Sequence, residues 1–442
     1  MSYLAIKPTL HSIQGTIAVP CSKYHLHRAL IFGSLAEGTT TIHGHSDAKH
    51  IQDTLNALYD LGANVEDVRS GYRVEGGPYN PRSQLVRLGS SGSTTQFLLG
   101  LGSRAAEPVT FDGVQALRNR PIGPLLNALN QLGVKNKSMN DRLPVTVFPG
   151  GPAGGNIAIQ GTLSQWISGL MMAAPFAAND THIKILNPFN EQTYIRLTTS
   201  MLNTFGIRVL VDDSGRNFTV PAQQNYRGAE IELEADFSSA AFPLVYAALH
   251  EGEVVLTDID GAGHHPEGEV IDILQNMGVH LTIDEANRQI TVRNEGIRPK
   301  GTEIDMAHIP DLIPILSVLA SVSEGRTVLR NIGPGRYKES NRVEAMQQLC
   351  KMGAQIREDN DDLIIDGVES LCGAEIDVHD DHRVQMAFAV AGSLAKGETI
   401  LNYPSAFEIS YPEFLRHMSQ LGMNIELTED VMVKELNSSG SR

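Results

Sequence analysis

The chain has 442 residues, 41% of them hydrophobic, and carries 51 acidic against 35 basic residues for a formal net charge of −16. That length suggests two to four domains with ample core, and the acidic balance argues against nucleic acid or an anionic membrane as the main partner. Three cysteines, Cys21, Cys350 and Cys372, form neither a metal-type spacing nor a disulfide framework, which fits a reducing cytoplasm. Residues 1–15 lack the basic-then-apolar pattern of a signal peptide. Apolar runs such as Leu312–Val322 are too short to span a bilayer.

In chain order, the pattern predicts a first helix over Ser22–Leu35, a turn at Gly38 and a strand over Thr39–Ile42. Asp47 opens a second helix that stops at Leu61-Gly62, and a last strand closes the unit. The same ending, a bulky apolar residue followed by Gly, recurs at Leu132-Gly133, Phe205-Gly206, Met277-Gly278, Met352-Gly353 and Leu421-Gly422. The glycines lie 71, 73, 72, 75 and 69 residues apart. This is a six-fold repeat, and Gly at each helix end fits a left-handed C′ residue. The fifth copy reads Asp311–Val322, Gly325, Thr327–Ile332 and Asn341–Met352. The sixth reads Asp381–Leu394, Gly397, Thr399–Leu401 and Pro412–Leu421. Alternating helices and strands define an α/β (α+β) class. The first helices are apolar nearly all round, as in Met386–Ala395, so they should be buried, packed as two clusters of three. The tail Asn437–Arg442 reads as disordered.

Each repeat offers two loops that open helices, and helix N-termini favour anions. The first-helix loops hold Lys23 and Arg28, Gly89–Ser93, Ser164-Gln165, Asp236 with Ser238-Ser239, Asp311, and Asp381-His382-Arg383. The second-helix loops hold Asp47 and Lys49, Arg118 and Arg120, Glu191 and Tyr194, His264-His265, Lys338-Glu339 with Arg342, and Ile409-Ser410. Lys23 and Arg120 oppose the helix dipole, so a structural role is less natural for them. Lys338, Glu339 and Arg342 could form a surface salt-bridge pattern, and Asp311 could be a plain N-cap. The Gly89–Thr94 segment suits a backbone nest for an anion. The run His379-Asp380-Asp381-His382 lacks a further closely spaced ligand group, so no metal is expected. Cations, hydroxyls and carboxylates at shared loci of different repeats suggest one anionic-ligand site.

These segments resemble the enolpyruvyl (carboxyvinyl) transferases, in the branch of 5-enolpyruvylshikimate-3-phosphate (EPSP) synthase. The resemblance rests on Pro20–Lys23 with His27–Ala29, the Gly89 segment, Asn119–Gly123, Ser164-Gln165, His308–Asp311, Tyr337–Arg342 and Asp381–Arg383. It implies an inside-out α/β barrel of two globular domains with three repeats each, residues 21–235 and residues 1–20 plus 236–442. The active site would lie in the interdomain cleft, with closure over the substrates. The implied reaction moves the carboxyvinyl group of phosphoenolpyruvate (PEP) to an acceptor hydroxyl and releases phosphate, with no cofactor and no metal. Lys23, Gly92, Arg120, Gln165, Arg342 and Arg383 would hold PEP. Asp311 would be the base at the hydroxyl, Glu339 the acid at the methylene carbon, and Lys23 would neutralise the departing phosphate. Acceptor contacts would come from Tyr24, Arg28, Ser164, Gln165, Trp166, Glu191, Tyr194, Asp311 and Lys338. The expected partners are PEP and a small hydroxyl-bearing acceptor, without nucleic acid or membrane, for a cytoplasmic monomer. Gln115 stands where the related UDP-N-acetylglucosamine branch has Cys.

The departures from this family fall mainly on the acceptor side. Leu163 replaces the first Ser of a Ser-Ser-Gln group, Glu191 a further Ser, Tyr24 a Ser, Pro334 and Ser90 each an Asn, Cys21 a Gly and Ile409 a Lys. The expectation is therefore a rebuilt acceptor pocket and an acceptor other than shikimate 3-phosphate, with the 3′-hydroxyl of UMP a candidate. Ordinary 3-phosphoshikimate 1-carboxyvinyl transfer is the alternative. A PEP-binding homologue without activity and an RNA 3′-phosphate cyclase-like enzyme also stay open.

Overall fold

The computed structural model describes residues 2–261 and 265–428, so His264 and the tail Asn437–Arg442 lie outside the described residues. The chain divides into an inserted domain, residues 21–234, and a split domain, residues 1–20 with 235–442.

The repeat is visible in the sheets. Six four-stranded sheets share one pattern, a parallel pair followed by two antiparallel pairings. In the first, Glu230–Glu232 runs parallel to Thr39–His43, which pairs antiparallel with Gly71–Glu75, and that strand with Asn64–Val68. The third repeat orders Gly155–Gly161, Thr181–Phe189, Asn217–Val220 and Leu210–Val211 in the same way. The first five repeats thus end in a two-stranded hairpin, where sequence reasoning expected one closing strand, and the sixth ends in the single strand Asn424–Thr428. Two sheets are completed from a distance. Glu230–Glu232 returns from the end of the inserted domain to its first repeat. Tyr3–Lys7, at the start of the chain, lies between Thr399–Leu401 and Asn424–Thr428 in the last.

All six repeat glycines adopt left-handed φ, between 81° and 97°. Several expected boundaries shift. Ser22 and Asp381 are N-caps of Lys23–Leu35 and His382–Leu394. The second helix begins at Lys49, not Asp47. The expected helix Asn341–Met352 is an α-helix only over Arg342–Met346 and tightens to a 3-10 helix over Gln347–Met352. Asp311 belongs to a 3-10 turn, Pro310–Leu312, that leads into Ile313–Val322.

The first helices are buried on all faces. Every residue of Lys23–Leu35 is buried, and so are all but one of Phe237–Leu249, Ile313–Val322 and His382–Leu394. Each domain has its own apolar core around three such helices. With no exposed flank, these helices can present chemistry only at their ends.

A Cβ on Gly353 would meet nothing within 4 Å, whereas one on Gly62 would sit 2.1 Å from the Asn80 carbonyl oxygen. Gly353→Ala should therefore cost only the left-handed backbone term, about 1–2 kcal/mol, and Gly62→Ala distinctly more. Urea unfolding of the two variants measures the difference, and equal losses would contradict this account.

Candidate active site

The split domain gathers its charges around Arg342, whose side chain is fully buried. Its Nε donates to Asp381 Oδ2 at 2.9 Å, Nη1 to Asp311 Oδ1 at 2.6 Å and Nη2 to Glu339 Oε2 at 2.5 Å. Asp381 is fixed from several sides. It caps the helix His382–Leu394 by accepting from the Arg383 amide at 2.9 Å, and it accepts from Ser340 Oγ at 2.9 Å. A guanidinium this dry is tolerable because carboxylates surround it. Burial alone would lower its pKa, but Asp381, Glu339 and Asp311 outweigh burial and raise it.

Asp311 faces three cations. Arg342 is joined by Arg383 Nη2, 3.3 Å from Asp311 Oδ2, and Lys338 Nζ, 3.6 Å from Oδ1. Burial pushes the Asp311 carboxyl up, but Arg383, Lys338 and Arg342 prevail and hold it well below the usual carboxylate range. Arg383 is positioned in turn by Ser238 Oγ at 2.5 Å and His382 Nε2 at 2.6 Å. Among the described residues, Glu339, Asp381 and His382 could bring ligand atoms together for a metal. Both carboxylates already pair with Arg342, which supplies positive charge there.

In the inserted domain, the cluster forms where two helices begin. A Cβ on Gly92, the first residue of Gly92–Leu101, would lie 2.6 Å from Arg120 Nη1 and 3.9 Å from Gln165 Oε1. The bare glycine lets the guanidinium reach this helix head. Gln165 Nε2 donates to Ser93 Oγ at 2.9 Å. Lys23, only 5% exposed, starts the helix Lys23–Leu35, with Nζ 5.4 Å from the Tyr24 ring centroid. Glu191 Oε2 accepts from both the amide and the hydroxyl of Ser164, at 2.8 Å each.

The structure therefore brings Asp311, Lys338, Glu339, Arg342 and Arg383 together in one domain, and Gly92, Arg120 and Gln165 in the other. The salt-bridge reading of Lys338, Glu339 and Arg342 as a surface pattern is corrected, because Arg342 is buried. Three expected acceptor residues are placed differently from the sequence reading. Arg28 ties the scaffold, donating to Thr198 Oγ1 at 2.9 Å and the Tyr24 carbonyl at 2.9 Å, with its guanidinium 4.8 Å from the Phe97 ring centre. Burial brings its pKa down to about 9. Trp166, 4% exposed, packs in the core of the inserted domain and offers no open stacking face. Tyr24 packs edge-to-face on Tyr194 at 5.3 Å, so its ring is also committed. The expected anion nest at Gly89–Thr94 receives an internal carboxylate, since Ser90 N donates to Asp53 Oδ2 at 2.9 Å. Sequence reasoning missed the positioning roles of Asp53, Ser340 and Ser238. Ser238, at a shared first-helix locus, and Ser340, within the Tyr337–Arg342 segment, carried a signal, and Asp53 carried none.

A family model described as EPSP synthase (3-phosphoshikimate 1-carboxyvinyltransferase) matches residues 8–418. The chain is 33% identical to the 3-phosphoshikimate 1-carboxyvinyltransferase of Methanococcus vannielii over 431 residues, 96% of this chain and all of the relative. It is also 33% identical to that of Methanocaldococcus jannaschii over 432 residues, again 96% of this chain and all of the relative. A solved EPSP synthase from Acinetobacter baumannii superposes with a TM-score of 0.80 at 27% identity, covering 97% of this chain and all of that one. Sequence match and fold together define a carboxyvinyl transferase. More narrowly, the chain belongs to the EPSP synthase family.

Two predictions follow from the split-domain cluster. Arg342→Leu leaves three carboxylates crowded without their buried counter-charge and should cost about 3–5 kcal/mol of stability, read by urea unfolding at neutral pH. Asp311 has a depressed folded pKa, so its stabilising contribution is present above its unfolded value near 3.9 and fades as pH falls through the folded one. Asp311→Asn should therefore flatten the stability–pH slope below about pH 4. Unfolding curves between about pH 2.5 and 5 test this, and an unchanged slope would count against it.

Proposed function

We propose that the chain transfers the carboxyvinyl group of PEP to a hydroxyl of a small acceptor with release of phosphate. One observation carries the reading: an ionised, buried Asp311 ringed by Lys338, Arg342 and Arg383. PEP carries a carboxylate and a phosphate, so fixed guanidinium groups suit it. In this reading Arg342 and Arg383 serve the donor, with Lys23, Arg120, Gln165 and Gly92 as the further donor residues. Asp311 accepts the acceptor's proton. The same cations that keep it charged also weaken it as a base, so a ligand that draws Lys338 or Arg383 away would strengthen it. Glu339 delivers a proton to the methylene carbon after exchanging its pairing with Arg342. The tetrahedral adduct then loses phosphate from C2 and a proton from the new methyl carbon, which restores the vinyl double bond, with Lys23 meeting the departing charge. No cofactor enters this scheme.

For the acceptor, the relatives' names support shikimate 3-phosphate. The relatives described above are not named for a nucleotide, and Trp166 and Tyr24 pack within the inserted domain, which leaves little ring surface to stack on a nucleobase. The ordinary 3-phosphoshikimate reading is therefore preferred over the altered acceptor.

Phosphate release from PEP, measured with shikimate 3-phosphate and separately with UMP, tests the assignment. Turnover with the first alone is expected, and turnover only with UMP would overturn the acceptor. Asp311→Asn should lower the rate by about 10²–10⁴-fold, the range of a general base. A variant with undiminished rate would remove Asp311 from that role.

A further inference from the structure

A run of buried hydroxyls crosses the inserted domain. Thr54, on the helix Lys49–Asp60, has its Oγ1 2.6 Å from Thr94 Oγ1 and 2.7 Å from His27 Nδ1. Thr94 Oγ1 donates to Ser91 Oγ at 2.6 Å, and Ser91 is the N-cap of Gly92–Leu101. Ser91, Thr54 and Thr94 are fully buried, and His27 is 1% exposed. A hydroxyl has one proton to give, which sets the direction of the run. Thr94 gives its proton to Ser91, so it accepts from Thr54. The Thr54 proton therefore goes to Thr94 and not to the His50 carbonyl, which lies farther off at 3.3 Å. Thr54 must then accept from His27, which carries its proton on Nδ1. Burial, with His50, Lys23 and Arg28 nearby, holds the His27 pKa well below its ordinary value, so the ring is neutral and adds no charge beside Lys23.

The run ties together two helices whose first residues, Lys23 and Gly92, the proposed function assigns to the donor. His27 stands about one helical turn after Lys23, and Ser91 directly precedes Gly92. Asp53, the residue before Thr54, acts on the same turn. Its Oδ2 accepts from the Ser90 amide at 2.9 Å, and Gly89 leaves room for it, since a Cβ there would lie 1.9 Å from Asp53 Oδ1. Two consecutive side chains of one helix thus hold Gly89–Gly92, the turn that Arg120 approaches at Gly92. We propose that Thr54 is a positioning residue for the donor: it fixes the Lys23 and Gly92 helix heads relative to each other and touches no substrate. Without its hydroxyl, His27 Nδ1–H and Thr94 Oγ1–H lose their link inside the domain, and the two heads are free to shift apart.

The proposal rests on the carboxyvinyl-transfer reading. Phosphate release from PEP, with shikimate 3-phosphate as acceptor, is measured in steady state for the full chain as wild type, Thr54→Val and Thr54→Ser. Thr54→Val keeps the shape and removes the hydroxyl. Its KM for PEP should rise about tenfold, the scale of a buried hydrogen-bonding group left unsatisfied. Its kcat and its KM for shikimate 3-phosphate should change by less than about twofold. Thr54→Ser, which restores the hydroxyl, should return the KM for PEP close to the wild-type value. A merely structural role would lower kcat through the folded fraction and leave both KM values alone. That result overturns the proposal, and so does an equal rise in both KM values or a serine variant that fails to rescue. If Thr54→Val does not fold, Thr94→Val breaks the next link and should show the same PEP-selective rise. NMR of the 15N-labelled imidazole should find wild-type His27 neutral and protonated on Nδ1, and a proton on Nε2 would contradict the run. A wild type that releases no phosphate from PEP with either shikimate 3-phosphate or UMP removes the transfer reading, and the proposal falls with it. An active wild type with an unchanged KM for PEP in folded Thr54→Val removes the positioning role alone.

Discussion

The structure depends on one constraint: six helices that are apolar all round must begin somewhere polar. A helix leaves its first amides without backbone partners, and a buried helix cannot hand them to water. Side chains meet the need at five of the six heads. Ser22 accepts from the His25 amide, Ser91 from Thr94, Glu191 from Ser164, Asp236 from Ser239 and Asp381 from Arg383. The sixth helix, Ile313–Val322, is entered through a 3-10 turn that begins with Pro310, which has no amide to satisfy. Polar chemistry is thus drawn to the helix heads by the scaffold itself. The residues that read as functional cluster there because the fold leaves polar groups few other buried places.

The same constraint explains the charges. The chain is acidic, yet its most buried cation sits among carboxylates that also perform structural tasks. Asp381 caps a helix through Oδ1 and holds the Arg342 Nε through Oδ2. Arg342 in turn orients Asp311 and Glu339. Surface pairs such as Arg326 with Asp366 are of another kind, since both partners are open to water and add little. Burial makes the difference: an exposed pair can be exchanged for water, whereas removal of one buried partner strands the others.

Much of this was legible in the sequence because it is local. The six glycines mark helix ends whose left-handed geometry depends on a few neighbouring residues, and all six have it. The buried first helices followed from their composition. What the sequence hid is non-local or ambiguous in sign. Nothing in Glu230–Glu232 says that it pairs with Thr41–His43 almost two hundred residues earlier. The closing hairpins read as one strand because their two arms are short. Arg28 and Trp166 carried the residue types of a binding site, and only tertiary packing shows that their polar and aromatic surfaces face other helices. A residue type at a helix head announces that a polar group is needed there. It does not announce whether the partner is a ligand or the protein itself.

That ambiguity sharpens the meaning of the repeat. At equivalent heads the protein uses a cation, as with Arg120 beside Gly92, or an internal carboxylate, as with Glu191 at Ser164, and the head of Gly92–Leu101 combines the two, since Asp53 holds the Ser90 amide just before it. The two solutions have opposite consequences. A cation adds to the positive end of the helix and leaves a strong field for an incoming anion. A carboxylate cancels that field with an anion that is already covalently part of the chain and needs no recruitment from solution. A pseudosymmetric scaffold can therefore set the sign of each helix head separately, by single substitutions in loops, while the sheets, glycine ends and cores stay the same. Specificity in such a molecule is a pattern of filled and unfilled heads, and the fold constrains it only by requiring that every head be answered.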